Sequence, residues 1–199
     1  MGACRPQGGG PINVMFHSDA RPTASERLEL SSASITRGRA FHWMAAIHGS
    51  GIDLITCADM RYCSSDAFFT IKEIDIGMVA DVGTLQRLPK LVGQGITREL
   101  AYTGRKFDAV EAKDIGLVNR VFDNREALYA GVHALAADIA AKSPLSIRGT
   151  KEMLNHARDH SVADSLNYIA TWNAAMLQSE DLMEAMTANM EKRAPVFKD

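Results

Sequence analysis

The chain has 199 residues, 46% of them apolar, and a formal net charge of -2. That length holds one good core with room for a helical appendage, and so small a charge gives no electrostatic case for nucleic acid or an anionic membrane surface. No apolar run approaches the roughly 20 residues of a membrane span, and the three cysteines (Cys4, Cys57, Cys63) lack C-x-x-C spacing, which speaks against a disulfide scaffold or zinc site and for a reducing, cytoplasmic setting.

Residues 1 to 42 are atypical. They are rich in Gly, Ser, Arg and Pro, hold no sustained periodicity and contain no lysine, the first being Lys72. This composition predicts a poorly ordered or loosely attached segment. No apolar block follows the basic residues, as a signal peptide requires, and Glu26 and Glu29 count against a transit peptide. From Trp43 the pattern becomes regular. A short buried strand is predicted over 44–47, ending at His48-Gly49, then a helix over 52–58 and strands over 60–62 and 67–71. A helix starting at Asp81 or Gly83 is interrupted by Pro89, and one over 97–103 is stopped by Gly104. Asp108-Ala-Val-Glu111 reads as a capping box opening a short helix that Gly116 closes, followed by a strand over 117–122.

The remainder reads as helical. Leu128, Val132, Leu135 and Ile139 form a stripe at helical spacing over 125–142. Ser143-Pro144 is an N-cap followed by proline at the first helical position, and two further helices are expected over 161–178 and 180–191. Strands alternating with helices and then a helical tail define an α/β class, with a core over 43–123 and a helical region over 124–199. His156 and His160 stand four apart, but no third ligand of suitable spacing accompanies them, so they read as helix-surface residues and no metal is implied.

Three carboxylates, Asp53, Glu73 and Asp81, surround one apolar segment. Enclosure by Ile, Met, Val and Phe strips hydration from a carboxylate and raises its pKa toward the working pH. Two such groups on opposite sides of a substrate can take a proton from one carbon and return one at another. Other acids in the stretch, Asp59, Asp66 and Asp75, read as structural or solvated. His48 reads as a strand-end packing residue and Cys57 as a small core residue.

From Ala45 onward the chain resembles the crotonase (enoyl-CoA hydratase/isomerase) superfamily, and within it the dienoyl-CoA isomerase branch. The resemblance is carried by Ala-Ala-Ile-His-Gly49, the run from Asp53 to Cys63, Lys72-Glu-Ile-Asp-Ile-Gly77, the run from Ala80 to Lys90, Lys142-Ser-Pro144 and the run from Arg158 to Tyr168. It implies a spiral of ββα turns with C-terminal helices that trimerise, in homotrimers or hexamers. It also implies conversion of a 3,5-dienoyl-CoA to the 2,4-isomer in fatty acid β-oxidation, with CoA entering as part of an acyl-CoA thioester substrate and no separate cofactor. Glu73 is then the acid/base group at the carbon next to the thioester and Asp81 the one at the far end, with Asp53 assisting. Ser50 and Gly51 fall where the family's Gly-rich loop donates an oxyanion N–H, a contribution typically worth about 3 kcal/mol.

The chain departs from the family in two places. The loop His48-Gly-Ser-Gly-Ile-Asp53 is shorter than the family's, and the family's N-terminal half has no counterpart in residues 1 to 42. Two alternatives follow. One is an enoyl-CoA hydratase working through Asp53 and Glu73, to which an acid at Asp81 is superfluous. The other is an inactive, truncated crotonase-like chain that keeps the oligomerising helices.

Overall fold

The structure, a computed structural model, describes residues 50–198, with side chains from Gly51 onward, and the backbone of three upstream strands. These are β1 (Val14–Ser18), β2 (Ser34–Ile35) and β3 (Gly38–Met44). All three fall largely where composition predicts irregular chain. The strand predicted over 44–47 is met only at Met44, since residues 45–49 lie outside the described residues.

With β4 (Met60–Ser64) and β7 (Arg120–Phe122), these strands make a five-stranded sheet in the order β2-β3-β1-β4-β7. β1 runs parallel to both β3 and β4, and β4 runs parallel to β7. Parallel sheets are covered on both faces, so their strands lack the in-out alternation by which strands are read from sequence. β4 illustrates this. Its Cys63 joins a cluster with Ile52, Phe69, Leu88, Leu100 and Leu117, while Met60 and Tyr62 pack against a second cluster of Phe122, Leu128 and Val132.

Two compact units divide at His133/Ala134, within helix α6 (Arg125–Ala140). In the first, helix α1 (Ser50–Ile55) turns Ile52 and Ile55, three apart, into the core. Strands β5 (Phe68–Phe69) and β6 (Phe107–Asp108) pair antiparallel, and the rings of Phe69 and Phe107 stack with centroids 5.4 Å apart. The helix predicted up to Leu88 is α2 (Thr84–Arg87). Pro89, which has no N–H, opens α3 (Pro89–Val92) instead of extending it. Next come α4 (Gln94–Thr103), stopped by Gly104 at φ 57°, and α5 (Ala109–Asp114).

Only half of the predicted capping box forms. Asp108 accepts from the Glu111 N–H at 2.9 Å, but the Glu111 carboxylate turns to Arg105, which also holds Glu99. That guanidinium holds the Glu111 carboxyl below the usual carboxylate range.

The second unit carries α7 (Pro144–Asp159), α8 (Val162–Met176) and α9 (Glu180–Glu191). A serine hydroxyl caps each of them: Ser143 accepts from Ser146 N–H, Ser161 from Asp164 N–H and Ser179 from Leu182 N–H, at 3.1, 3.1 and 3.2 Å. Gly149 admits the Trp172 indole so closely that an added Cβ would stand 2.7 Å from its Nε1. A cavity of about 420 Å³ is lined by Leu145, Met153, Ile169, Trp172 and Met176 among others, and none of the three candidate acids borders it.

Candidate active site

The candidate acids lie on three short pieces of the first unit. Asp53 sits in the first turn of α1, Glu73 opens a 3-10 turn (Glu73–Ile76), and Asp81 stands in the loop before α2. The 3-10 turn ends at Gly77, whose left-handed φ of 72° lets its N–H reach back to Glu73 O and Ile74 O, and Met78 N–H also bonds Glu73 O at 2.9 Å. The base of this turn rests on Gly104, where an added Cβ would lie 3.0 Å from Asp75 Oδ1. Thr70 Oγ1 donates to Gly104 O at 3.0 Å, and Lys72 pairs with Asp75 at 2.6 Å.

Glu73 is half-buried, and its Oε2 is enclosed without a hydrogen-bond partner. A buried carboxylate oxygen without a donor is costly, on the order of 1–3 kcal/mol, and such atoms are uncommon in folded proteins. Asp81 differs. It is exposed, and so are the apolar residues around it: Ile76 (73%), Met78, Val79 (71%) and Val82. The enclosure expected around both acids is therefore found at Glu73 and not at Asp81. The apolar side chains are present, but among the described residues they form an open rim, exposed rather than packed over.

Asp53 is 4% exposed and is bonded to α2 through one carboxylate oxygen. Its Oδ1 accepts from the Thr84 N–H at 2.6 Å and from Thr84 Oγ1 at 2.7 Å. Among the described residues it serves a helix 31 positions away in sequence rather than a turn of its own. Ser50 and Gly51 are the first residues of α1, where backbone N–H groups have no partner within the helix. Gly51 is buried.

Sequence reasoning passed over two residues that order this region, Thr84 and Arg87. Arg87 Nη2 donates to Asp53 O at 2.8 Å and to Val82 O at 3.0 Å, and its Nε donates to Thr56 Oγ1 at 3.1 Å. Neither residue carries a local signal, because the partners on α1 are some thirty positions upstream. The one available hint was Gly83, which precedes Arg87 by one helical turn.

Other nucleophiles and ligands are quiet. Burial, with Asp66 nearby, pushes the Cys63 thiol up to about 12. Among the described residues no group of three or more His, Cys, Asp or Glu side chains could hold a metal ion, and no helix is long and apolar enough to cross a membrane.

A largely parallel sheet joined by short helices defines an α/β class, and comparison with known proteins identifies the family. The Enoyl-CoA hydratase/isomerase family profile matches residues 44–199, and the chain belongs to that family. It is 54% identical over 158 residues to the peroxisomal Delta(3,5)-Delta(2,4)-dienoyl-CoA isomerase of Arabidopsis thaliana, covering 77% of this chain and 57% of that protein. It is 53% identical over 155 residues to the mitochondrial enzyme of that name from Mus musculus, covering 75% of this chain and 47% of that one. The chain thus spans about half the length of these curated relatives. Among solved structures, an enoyl-CoA hydratase from Bacillus anthracis superimposes with a TM-score of 0.75 at 26% identity, over 90% of this chain and 72% of that one. So wide a structural match extends upstream of residue 44. Part of the N-terminal stretch therefore has a structural counterpart in the family, which corrects the expectation that residues 1 to 42 have none.

Proposed function

We propose that this chain carries the acid/base residues of a dienoyl-CoA isomerase acting on a 3,5-dienoyl-CoA thioester. The observation that supports this most is Glu73, a half-buried carboxylate with one enclosed, unpartnered oxygen beside an apolar rim. It sits eight positions before Asp81 in a chain 54% identical to a protein of that name. Glu73 takes a proton from the carbon next to the thioester carbonyl. The electron pair moves into the conjugated system, and negative charge collects on the thioester oxygen, where N–H groups at Ser50 and Gly51 are the candidate donors. Asp81 delivers a proton to the far carbon, so the product is the 2,4-dienoyl isomer. One proton leaves the substrate to Glu73 and one reaches it from Asp81, and exchange with solvent restores both groups. The bound acyl chain supplies the dryness that Asp81 lacks in the free chain by covering Ile76, Met78, Val79 and Val82.

Asp53 belongs to the scaffold on this reading, because its Oδ1 is already committed to Thr84. The same commitment counts against a hydratase, which would use Asp53 with Glu73 to activate water. Exposed Leu166, Met183, Met186 and Met190 on α8 and α9 support self-association, which light scattering measures. The relatives' names point to peroxisomes or mitochondria rather than the cytoplasm read from cysteine usage, and fractionation of tagged protein decides between them.

The test is turnover of a 3,5-dienoyl-CoA by purified chain, followed by ultraviolet absorbance of the conjugated product. Asp81→Asn and Glu73→Gln are expected to lower the rate by about 10²- to 10⁴-fold each while leaving thioester binding in place. Parent chain that binds no CoA thioester and converts none removes the proposal.

A further inference from the structure

Among the described residues no hydrogen bond or ion pair holds the Asp81 side chain, so its position depends on the backbone that follows it. That backbone is tied to α1 from two directions. Thr84 is bonded to the Asp53 carboxylate through both its N–H and its hydroxyl. Arg87 reaches back over Gly83 and spans the gap, with Nη2 shared between Val82 O and Asp53 O and Nε on Thr56 Oγ1. Thr56 Oγ1 donates in turn to Asp53 O at 2.9 Å, so the guanidinium meets a preset row of acceptors. Gly83 makes the approach feasible: at φ 116° it has no side chain, and a Cβ there would lie 2.1 Å from Arg87 Nη1.

We infer that Arg87 is a positioning residue. Its planar fork clamps the Val82 carbonyl onto α1 and so fixes where the adjacent Asp81 carboxyl meets the far end of the substrate, an inference that rests on the dienoyl-CoA isomerase reading above. The shape of the group matters as well as its charge. A lysine ammonium is a point donor on a flexible stem and lacks the planar fork that spans these acceptors. Displacement of a reacting group by about 1 Å costs on the order of 100-fold in rate.

Three variants test the clamp: Arg87→Ala, which removes it, Arg87→Lys, which keeps the charge, and Gly83→Ala, which displaces the guanidinium without deleting it. Two quantities are read: kcat against KM on a 3,5-dienoyl-CoA, and amide hydrogen exchange at Val82, Gly83 and Thr84. All three variants are expected to lose about 10- to 100-fold in kcat. KM should stay near that of the parent, and exchange at the three amides should rise. Ethylguanidinium should restore part of the rate of Arg87→Ala and none of that of Gly83→Ala. Unchanged exchange in Arg87→Ala overturns the clamp. Raised exchange with an unaltered kcat overturns its link to Asp81, and so does full activity in Arg87→Lys. If the parent chain turns over no dienoyl-CoA, the isomerase reading fails separately, and the exchange result alone decides whether Arg87 holds the turn.

Discussion

Replacing Thr84 with Val isolates the bond between Asp53 and α2. Thr84 is 1% exposed, and its hydroxyl lies 2.7 Å from Asp53 Oδ1. Valine keeps the branched shape but sets a methyl against the carboxylate, while the backbone N–H remains bonded at 2.6 Å. A hydrogen bond to a charged group contributes about 1.5–3 kcal/mol, and a buried oxygen that loses one of two donors recovers little from solvent. The expected loss is therefore about 2 kcal/mol. For a chain of this size that lowers Tm by roughly 4–8 °C. Urea unfolding followed by circular dichroism is the assay, with an unchanged slope showing that only stability has moved. Thr84→Ser is the control, because it keeps the hydroxyl and loses one methyl, at about 1 kcal/mol. A Thr84→Val midpoint equal to that of the parent would refute the reasoning, since the bond would then have no net value.

The other expectations are simpler. Gly149→Ala drives a Cβ toward Trp172 Nε1, and overpacking of this kind costs about 1–3 kcal/mol less the gain in helix propensity. A chain destabilised by about 1 kcal/mol with altered tryptophan fluorescence is expected, and one more stable than the parent would contradict the packing. Cys63, fully buried with its thiol pushed up to about 12, should resist iodoacetamide at pH 8 in the folded chain, as peptide mapping by mass spectrometry will show. Hydrogen bonds from Arg193, then the Val196 N–H, hold the Glu184 carboxyl down to about 2 from its ordinary 4.5. Because the folded value is the lower, this tether of the C-terminal residues is complete above about 4.5 and is lost as pH falls through about 2. An NMR titration of the Val196 amide should follow that window, and a midpoint near 4.5 would disprove the tether.

The helical half of the molecule was legible because its signals are local. Ser143-Pro144 announces α7 within two residues, and α9 begins and ends where spacing put it, at Glu180 and Glu191. Pro89 and Gly104 likewise act where they stand. What escaped depends on partners distant in sequence. β1 becomes a strand through pairing with β3 and β4, and its five residues, without alternation, do not announce it. Glu111 looked like the closing half of a capping box, but Arg105, six positions before it, offered a stronger partner. At the site, residue types and spacing marked the three acids. Their different environments became visible only once Thr84 had claimed Asp53 and the rim around Asp81 had been left open.

The place of β1 in the sheet bears on how the molecule assembles. Its five residues lie between β3 and β4, so the strand nearest the start of the chain cannot finish docking until β4 has been made. β4 in turn waits for β7, close to sixty positions further on. Contacts so far apart along the chain close slowly, and a nascent polypeptide in that interval presents two raw strand borders to its neighbours. Excising Val14–Ser18 would make that interval permanent, and clumping during synthesis, more than loss of any single chemical group, is the defect to look for.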